Sequence, residues 1–426
     1  GHAILTIEYY VDTDPKEDAE YNIVRNNVIE QYWGHGITFN TRHNVIENNK
    51  IYYVGEEVTG YPKTGIQVIG SSNIIRNNVI AWTSASPFID HGISVFAYEF
   101  QGFTQNAEDN RIYNNVIYGC GGAGVVFNQK HSASHNRNRF LNNIVYDNRR
   151  GGPDQYFNMS YLVFDIYHAY PDNKWPYFPN DNYFYNNILL HADSSGDQPG
   201  FSPFVYYSVG ITFTSLAQTE ANHSGHFYDN IEENPLFADA EAGNFTLQAE
   251  SPAIDRAAPL TLTTTSGSDT TRVPVEDALY FFDGYGIAEG DLIRIGGRTP
   301  VSITGVDYAG KILTVDTAVS FSSGEAVTMN YSGNAPDLGA FEYTGEPAAP
   351  TNQPPVLASI GDREVTEGQA LEFTISASDP DNDPLDYPAP TGLPSSAAFD
   401  AETQTFSWTP SVGQAGEYPV TFSVSD

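Results

Sequence analysis

The residues best suited to acid–base chemistry lie in the first 180 residues of this 426-residue chain, which hold seven of its ten histidines. His35 and His91 each stand directly before a glycine that opens a short apolar segment, and Lys63 stands two residues before Gly65 in a third such segment. Histidine and lysine side chains can take a proton from a substrate or give one to it. We therefore predict His91, Lys63 and His35 as catalytic residues.

Further polar and basic residues follow these segments or lie in the connections between them. The predicted substrate-binding residues are Arg42, His43, Gln67, Asn128, Lys130, His131, Arg149 and Arg150. β-Elimination of a uronic-acid polysaccharide needs a cation to neutralise the carboxylate, a base for the C5 proton and an acid for the leaving oxygen. This set of side chains suits that reaction, with His91 or Lys63 as the base.

Hydrolysis of a glycosidic bond would instead need two carboxylates across the scissile bond. In residues 1–150 the acids expected beside the histidines are few, namely Glu56, Glu57 and Asp90. A polysaccharide lyase is therefore favoured over a hydrolase.

A repeated motif sets the spacing of these candidates. Each copy has an asparagine, a short apolar segment, an asparagine pair and a second apolar segment, as in NVIENNKIYYV from residue 44. The second asparagines of the pairs are Asn27, Asn49, Asn78, Asn115, Asn143 and Asn187. A segment that begins with glycine, such as GITF at Gly36, closes the lap. Three short strands per lap of variable length predict a parallel β-solenoid.

Stacking of the laps explains the asparagines. Successive laps lie about 4.8 Å apart, so an asparagine at one corner can bond its amide to those above and below. Asparagine also tolerates a tight corner with positive φ. The same stacking places His35 and His91 about 10 Å apart, with Lys63 and Thr64 between them.

These motifs resemble those of the right-handed parallel β-helix family, which has an asparagine ladder in the short turn between its second and third strands. The resemblance covers roughly residues 19–257 and implies the fold but no particular activity. The segments at 234–239, 243–257 and 336–343 (PDLGAFEY) are similar to the closing laps of secreted bacterial members.

We expect an all-β protein with several domains. Residues 1–268 are predicted to form the β-helix, and 336–343 its closing segment. Residues 269–335 are predicted to form a small β-rich insertion that caps the open end of the core. A proline-rich linker at 344–355 precedes the last domain.

Residues 356–426 resemble the cadherin-like, immunoglobulin-type β-sandwich modules of bacterial surface proteins, apparently truncated before the last strand. The resemblance implies a structural Ca²⁺ site, because carboxylates alternate in a proline-bounded turn. Its ligands would be Asp379, Asp381, Asp383, Asp386 and Glu367. A solvated acidic turn without a metal is the alternative.

The formal charge of -34 argues against nucleic acid and anionic membranes as partners. The single cysteine, Cys120, lies in an apolar repeat and is expected to be a buried thiol. The sequence contains no stretch of 18 apolar residues, so we do not expect it to insert into a membrane. We expect an extracellular or cell-surface protein whose partner is a polysaccharide, with further domains of a longer surface protein beside it. The alternatives are a non-catalytic adhesin, matrix or filament protein, and a glycan-binding protein without turnover.

Overall fold

A computed structural model of the protein describes most of the chain. The described residues are 2–6, 20–30, 34–54, 63–83, 91–100, 103–121, 123–129, 133–148, 162–165, 181–190, 204–206, 211–213, 215–345, 355–379 and 384–426. They divide into two compact units, one of residues 1–238 with 245–347 and the other of residues 348–426 with 239–244.

The first unit begins with short strands in a repeating order. They are β1 (His2–Thr6), β2 (Ile23–Arg25), β3 (Val28–Glu30), β4 (His35–Phe39), β5 (Val45–Glu47), β6 (Lys50–Tyr52), β7 (Thr64–Val68), β8 (Ile74–Arg76), β9 (Val79–Ala81), β10 (His91–Phe100), β11 (Phe103–Gln105), β12 (Arg111–Tyr113), β13 (Val116–Tyr118), β14 (Val125–Gln129), β15 (Arg139–Leu141), β16 (Ile144–Tyr146), β17 (Leu162–Asp165), β18 (Tyr183–Tyr185), β19 (Ile188–Leu190), β20 (Phe204–Tyr206) and β21 (Ile211–Phe213). Helix α1 (Leu216–Asn222) and strand β22 (Phe227–Tyr228) follow.

These strands form three parallel sheets that wrap one core, which confirms the predicted parallel β-helix. Sheet A has the order β1-β4-β7-β10-β14-β17-β20, with β11 and β21 added antiparallel to β10 and β20. Sheet B has the order β2-β5-β8-β12-β15-β18-β22, and sheet C the order β3-β6-β9-β13-β16-β19. Each lap contributes one buried apolar layer, as with Ile37, Ile46 and Ile51, which are all 0 % exposed.

The predicted asparagine ladder is present at the corner between sheets B and C, and it is longer than the sequence indicated. Each Nδ2 donates to the Oδ1 of the next asparagine, as from Asn78 to Asn115 at 3.0 Å. The ladder runs through Asn27, Asn49, Asn78, Asn115, Asn143, Asn187 and Asn230. Asn230 belongs to a seventh lap in which Asp229 replaces the first asparagine of the pair.

A second asparagine ladder lies at the corner between sheets A and B. It is built from the asparagines that open each motif, Asn22, Asn44, Asn73, Asn110, Asn138 and Asn182. The first asparagine of each pair has a different role, because it takes the positive φ that turns the corner, 53° at Asn77 and at Asn114. The second asparagine of each pair therefore forms the amide ladder, and the first one supplies the positive φ.

The glycine near the start of β4, β7 and β10 allows close packing against the core. A Cβ on Gly65 would lie 2.3 Å from Ile80 Cγ2 and 2.9 Å from the carbonyl oxygen of Gly92. A Cβ on Gly92 would likewise lie 2.4 Å from Ile117 Cγ2. The requirement for glycine therefore repeats from lap to lap.

The hairpin strands β23 (Phe237–Asp239) and β24 (Asn244–Leu247) come next, and then a six-stranded antiparallel sheet. The sheet has the strands β25 (Thr261–Leu262), β26 (Gly267–Pro274), β27 (Leu292–Ile295), β28 (Val301–Asp307), β29 (Ile312–Phe321) and β30 (Ala326–Met329), in the order β25-β30-β27-β28-β29-β26. Residues 269–335 of this region are called the insertion below.

The insertion packs on the flank of the β-helix, so the expectation that it caps the open core is corrected. Its apolar residues form one cluster with Val45, Ile74, Tyr113 and Leu141, which face outward from sheet B. The end of the core is instead occupied by α1. Leu216 of α1 joins the interior cluster, and Glu220 Oε1 accepts from Asn230 Nδ2 at 3.0 Å.

The second unit is antiparallel. Its strands are β31 (Val356–Leu357), β32 (Leu371–Thr374), β33 (Ala377–Ser378), β34 (Ala398–Asp400) and β35 (Thr405–Trp408), paired as β31-β33 and β32-β35-β34. Phe373 and Phe406 stack with ring centroids 5.0 Å apart, and Phe422 packs edge-on against both rings. These aromatic rings supply much of its small core.

Candidate functional site

The outer face of sheet A carries the row of side chains that the sequence predicts there. Thr38 pairs in register with Gln67, Gln67 with Ser94, and Ser94 with Val126. Gln67 is half-buried, whereas Thr38 and Ser94 are only 3 % and 6 % exposed. Within this row only the Gln67 side chain is therefore appreciably exposed to solvent.

The predicted histidines lie beside this row, at the start of successive strands. Thr64 pairs in register with His91 on one side, and its Oγ1 lies 2.8 Å from His35 Nδ1 on the other. His35, Thr64 and His91 thus form the column that lap stacking predicts. A glycine that packs against the core follows each residue of the column. The column therefore lies at the start of the sheet A strands.

The imidazole of His91 is buried and its hydrogen bonding defines its tautomer. The side chain is 8 % exposed, and Nδ1 accepts the backbone N–H of Ala123 at 3.2 Å. Burial lowers the pKa of His91 to about 4. At neutral pH the ring is therefore uncharged with its proton on Nε2, so it can donate a hydrogen bond but cannot take a proton at Nδ1.

Lys63 lies between the two histidines. Its backbone carbonyl accepts the N–H of His91 at 2.9 Å, and its side chain is half-buried. The backbone of Lys63 therefore lies beside the column, and a catalytic role for its side chain stays a prediction.

Arg42 and His43 lie elsewhere, beyond the opposite end of β4 at the corner between sheets A and B. Arg42 forms an ion pair with Glu20. The His43 ring stacks between Tyr21 and Tyr308, with centroid distances of 5.3 and 5.6 Å, and burial lowers its pKa. His43 therefore belongs to the contact with the insertion, and Arg42 to an ion pair at the same corner, rather than to the His35–His91 column.

Several predicted residues lie outside the described part of the chain. They are Lys130, His131, Arg149 and Arg150, together with the acids Glu56, Glu57 and Asp90. Asn128 lies on β14 in register with Phe96, and its side chain is outside the described set. Their roles remain predictions from the sequence.

Comparison with known proteins identifies two regions. Residues 16–164 match the family model described as "Right handed beta helix region". The N-terminal domain is a right-handed parallel β-helix. Residues 354–426 match the model described as "Putative Ig domain", in agreement with the antiparallel pairing of that unit. No curated protein and no solved structure matches the chain.

The predicted calcium ligands belong to the immunoglobulin-type module. Asp379 and Asp386 are described, and Asp386 is fixed by backbone hydrogen bonds with Ser425 of 2.7 and 3.0 Å. Glu367 Oε1 accepts the N–H of Gly413 at 2.8 Å. Carboxylate oxygens suit Ca²⁺ in chemistry, but Asp381 and Asp383 lie outside the described residues. Within the described ranges no group of three His, Cys, Asp or Glu side chains could hold a metal ion.

Two further observations concern the predictions about cysteine and membranes. Cys120 is a thiol with 0 % exposure in the β-helix core, as expected. None of the helices in the described ranges is long and apolar enough to cross a membrane.

Sequence reasoning missed a basic and aromatic group on the outer face of the right-handed β-helix, on sheet B. It consists of Arg139, Tyr183, Tyr185, His226 and Tyr228. A signal was present in the motifs NRFLNN, NYFYNN and GHFYDN, where the first and third residues after the opening position face outward in a strand. Together they predict neighbouring columns of large polar side chains.

Proposed function

We propose that the protein is an extracellular carbohydrate-active protein that binds an acidic polysaccharide along sheet A and cleaves it by β-elimination. The observation that supports this most is the column of His35, Thr64 and His91 with Lys63 beside it. Two histidines and a lysine are concentrated there in a chain whose formal charge is -34. Side chains of these types can exchange protons with a substrate.

The hydrogen bonding of His91 favours Lys63 as the base over His91. In the proposed step the base takes the C5 proton, the electron pair of that C–H bond forms the C4–C5 double bond, and the C4–O bond breaks. The leaving oxygen then receives a proton, for which His35 is the proposed acid. The proposed cations for the substrate carboxylate are Arg149 and Arg150, as the sequence predicts.

A second candidate function is a non-catalytic surface, matrix or glycan-binding protein. The burial of His91, with Nδ1 occupied by a backbone N–H, favours this candidate because the same contacts would stabilise a corner in a plain rod. The two candidates differ in whether Lys63 and His35 change turnover or only stability.

An ultraviolet assay for new double bonds tests the proposal. Alginate, pectate, ulvan and glycosaminoglycans would be incubated with the wild-type protein and with Lys63→Met, His35→Asn and His91→Asn variants. Lys50→Met serves as a matched control, because Lys50 is an exposed lysine at the start of β6 on sheet C. We expect absorbance that Lys63→Met abolishes and Lys50→Met preserves. Unchanged absorbance and unchanged reducing ends with every substrate would favour the non-catalytic candidate.

The proposal also includes a structural Ca²⁺ in the immunoglobulin-type module, held by Asp379, Asp381, Asp383, Asp386 and Glu367. Calorimetric titration of the chain with Ca²⁺ tests it. We expect one site that is lost in Asp381→Asn and retained in Asp400→Asn, a substitution elsewhere in the module. Absence of binding to the wild-type chain would show that the turn is only a solvated acidic loop.

A further inference from the structure

The outer face of sheet B carries two short columns of side chains beside the docked insertion. Arg139 pairs in register with Tyr183, and the Tyr183 ring packs at a tilt of 38° against His226, with ring centroids 5.0 Å apart. In the neighbouring column Tyr185 stacks on Tyr228 at 4.9 Å with an interplanar angle of 10°. All five side chains are partly exposed. We call them the arginine–tyrosine patch.

Within the described residues, a tyrosine ring and two backbone carbonyls hold the guanidinium of Arg139 in place. Its carbon lies 3.9 Å from the centroid of the Tyr183 ring, and Nη1 donates to the carbonyl oxygens of Asp181 and Asn138 at 3.0 and 3.4 Å. Among the described residues no acidic side chain pairs with it, and Nε and Nη2 have no acceptor. Two parallel N–H donors in a fixed plane are the arrangement that binds a carboxylate or sulfate bidentately.

Arg139 differs from two neighbouring arginines of the β-helix, which form ion pairs with carboxylates. Arg111, in register with Arg139 one lap earlier, pairs with Asp277 of the insertion at 2.7 Å. Arg137 pairs with both Glu108 and Asp109, at 2.9 and 2.7 Å. In a chain with 53 acidic and 19 basic residues, a fixed guanidinium that no acidic side chain of the described ranges pairs with leaves a positive site.

The neighbouring groups supply further hydrogen bonds at the same face. His226 Nδ1 lies 3.0 Å from the carbonyl oxygen of Asn182, so Nδ1 is the protonated nitrogen and Nε2 can accept a hydrogen bond. The hydroxyl of Tyr185 lies 3.3 Å from that of Tyr280, at the margin of the insertion. Tyrosine rings stacked along the sheet give an amphipathic surface of low conformational entropy.

From these contacts we infer that the arginine–tyrosine patch is a binding site for an anionic sugar, with the oxyanion on Nε and Nη2 of Arg139. Hydroxyl groups of the sugar would donate to His226 Nε2 and form hydrogen bonds with the tyrosine hydroxyls. The site lies on a different sheet from the proposed catalytic column. It therefore holds an acidic glycan to the molecule whether or not the glycan is cleaved.

Calorimetry with the full chain in about 0.15 M salt, where distant charges are screened, tests this inference. The probes are oligogalacturonate for a carboxylate, a sulfated neutral oligosaccharide for a sulfate, and a malto-oligosaccharide without charge. We expect binding of one or both anionic probes and none of the neutral one. The affinity should fall at least tenfold in Arg139→Gln, because charge-assisted hydrogen bonds are lost.

Arg137→Gln is the matched control, since it removes the same charge two residues away from a guanidinium that is already paired. We expect it to change the affinity less than twofold, and Arg139→Lys to lose most of the affinity because a lysine has no planar fork. Equal affinities of the wild-type chain and Arg139→Gln, or no binding of either anionic probe, would overturn the inference.

Chemical modification locates the site independently. Phenylglyoxal modifies accessible arginines, and we expect bound oligosaccharide to protect Arg139 but not Arg137, as read by peptide mass spectrometry. Modification of Arg139 at an equal rate with and without the glycan would contradict the inference. Lys63→Met separates this site from the proposed lyase, because it should abolish turnover and leave protection of Arg139 unchanged.

Discussion

Arg76 of the β-helix and Asp291 of the insertion form a bidentate ion pair that is buried on both sides. Nη1 lies 2.9 Å from Oδ2 and Nη2 2.5 Å from Oδ1, and the two side chains are 2 % and 3 % exposed. Glu47 accepts from the same guanidinium at 2.6 Å, and Tyr113 accepts from it at 2.9 Å. A charged network inside an apolar interface thus helps to attach the insertion to sheet B, in addition to the Arg111–Asp277 pair.

Removal of the guanidinium should destabilise this interface strongly. In Arg76→Met, Glu47 and Asp291 remain buried without their cation, and we expect a loss of about 3–5 kcal/mol in the free energy of unfolding. Denaturant unfolding measures it. The control is Arg25→Met, since Arg25 faces Glu47 at 3.8 Å with 43 % of its side chain exposed, and it should cost under about 1 kcal/mol. Equal losses in the two variants would contradict the network.

The asparagine ladder should tolerate substitution only near its ends. Asn115 Oδ1 accepts from the Nδ2 and backbone N–H of Asn78, and its own Nδ2 donates to Ile75, Tyr113 and Asn143. Asn115→Ala leaves several buried groups unsatisfied, each costing about 1–3 kcal/mol. Asn27→Ala at the ladder's first position loses two Nδ2 bonds and should cost much less. Thermal unfolding of both variants compares them, and a similar drop would show that the ladder adds little.

Acid should weaken the β-helix through two buried histidines. His135 is 0 % exposed, and burial lowers its pKa, like that of His91, to about 4. The unfolded chain binds these protons near pH 6.5 and the folded chain only near pH 4, so stability falls as pH decreases through that window. Each histidine accounts for about 3 kcal/mol by linkage.

The measurement is the thermal midpoint between pH 7.5 and pH 4 for the wild type and for a His91→Asn, His135→Gln double variant. We expect the midpoint of the double variant to depend less steeply on pH, whatever its value at pH 7.5. Parallel curves over the whole range would rule out the two histidines as the source.

The glycines that open the sheet A strands should not accept even a methyl group. Gly65→Ala places its Cβ against Ile80 and the backbone of Gly92, so we expect a loss of about 1–3 kcal/mol from overpacking. Gly225→Ala is the control, because nothing lies within 4 Å of a Cβ built there. Chemical denaturation should leave Gly225→Ala close to wild type, and an equal effect of the two substitutions would contradict the packing argument.

Regular features of the fold could be predicted because the repeat is local. Most laps carry their own asparagine pair and glycine, and stacking then follows from the spacing of strands. The seventh lap escaped prediction because Asp229 takes the corner in place of an asparagine, although Asn230 still completes the ladder. The second ladder was visible as the asparagine that opens each motif, but only the three-dimensional corner shows that these side chains stack.

The sequence alone therefore determined the right-handed β-helix, the column of His35, Thr64 and His91, and the immunoglobulin-type module. Tertiary structure decided where the insertion lies, because its contacts join residues far apart in the chain, such as Arg76 and Asp291. It also decided which charges are already paired. Arg137 and Arg139 look alike in the sequence, yet one is neutralised by two carboxylates and the other is stacked on Tyr183. Only the folding of distant laps onto one face creates that difference.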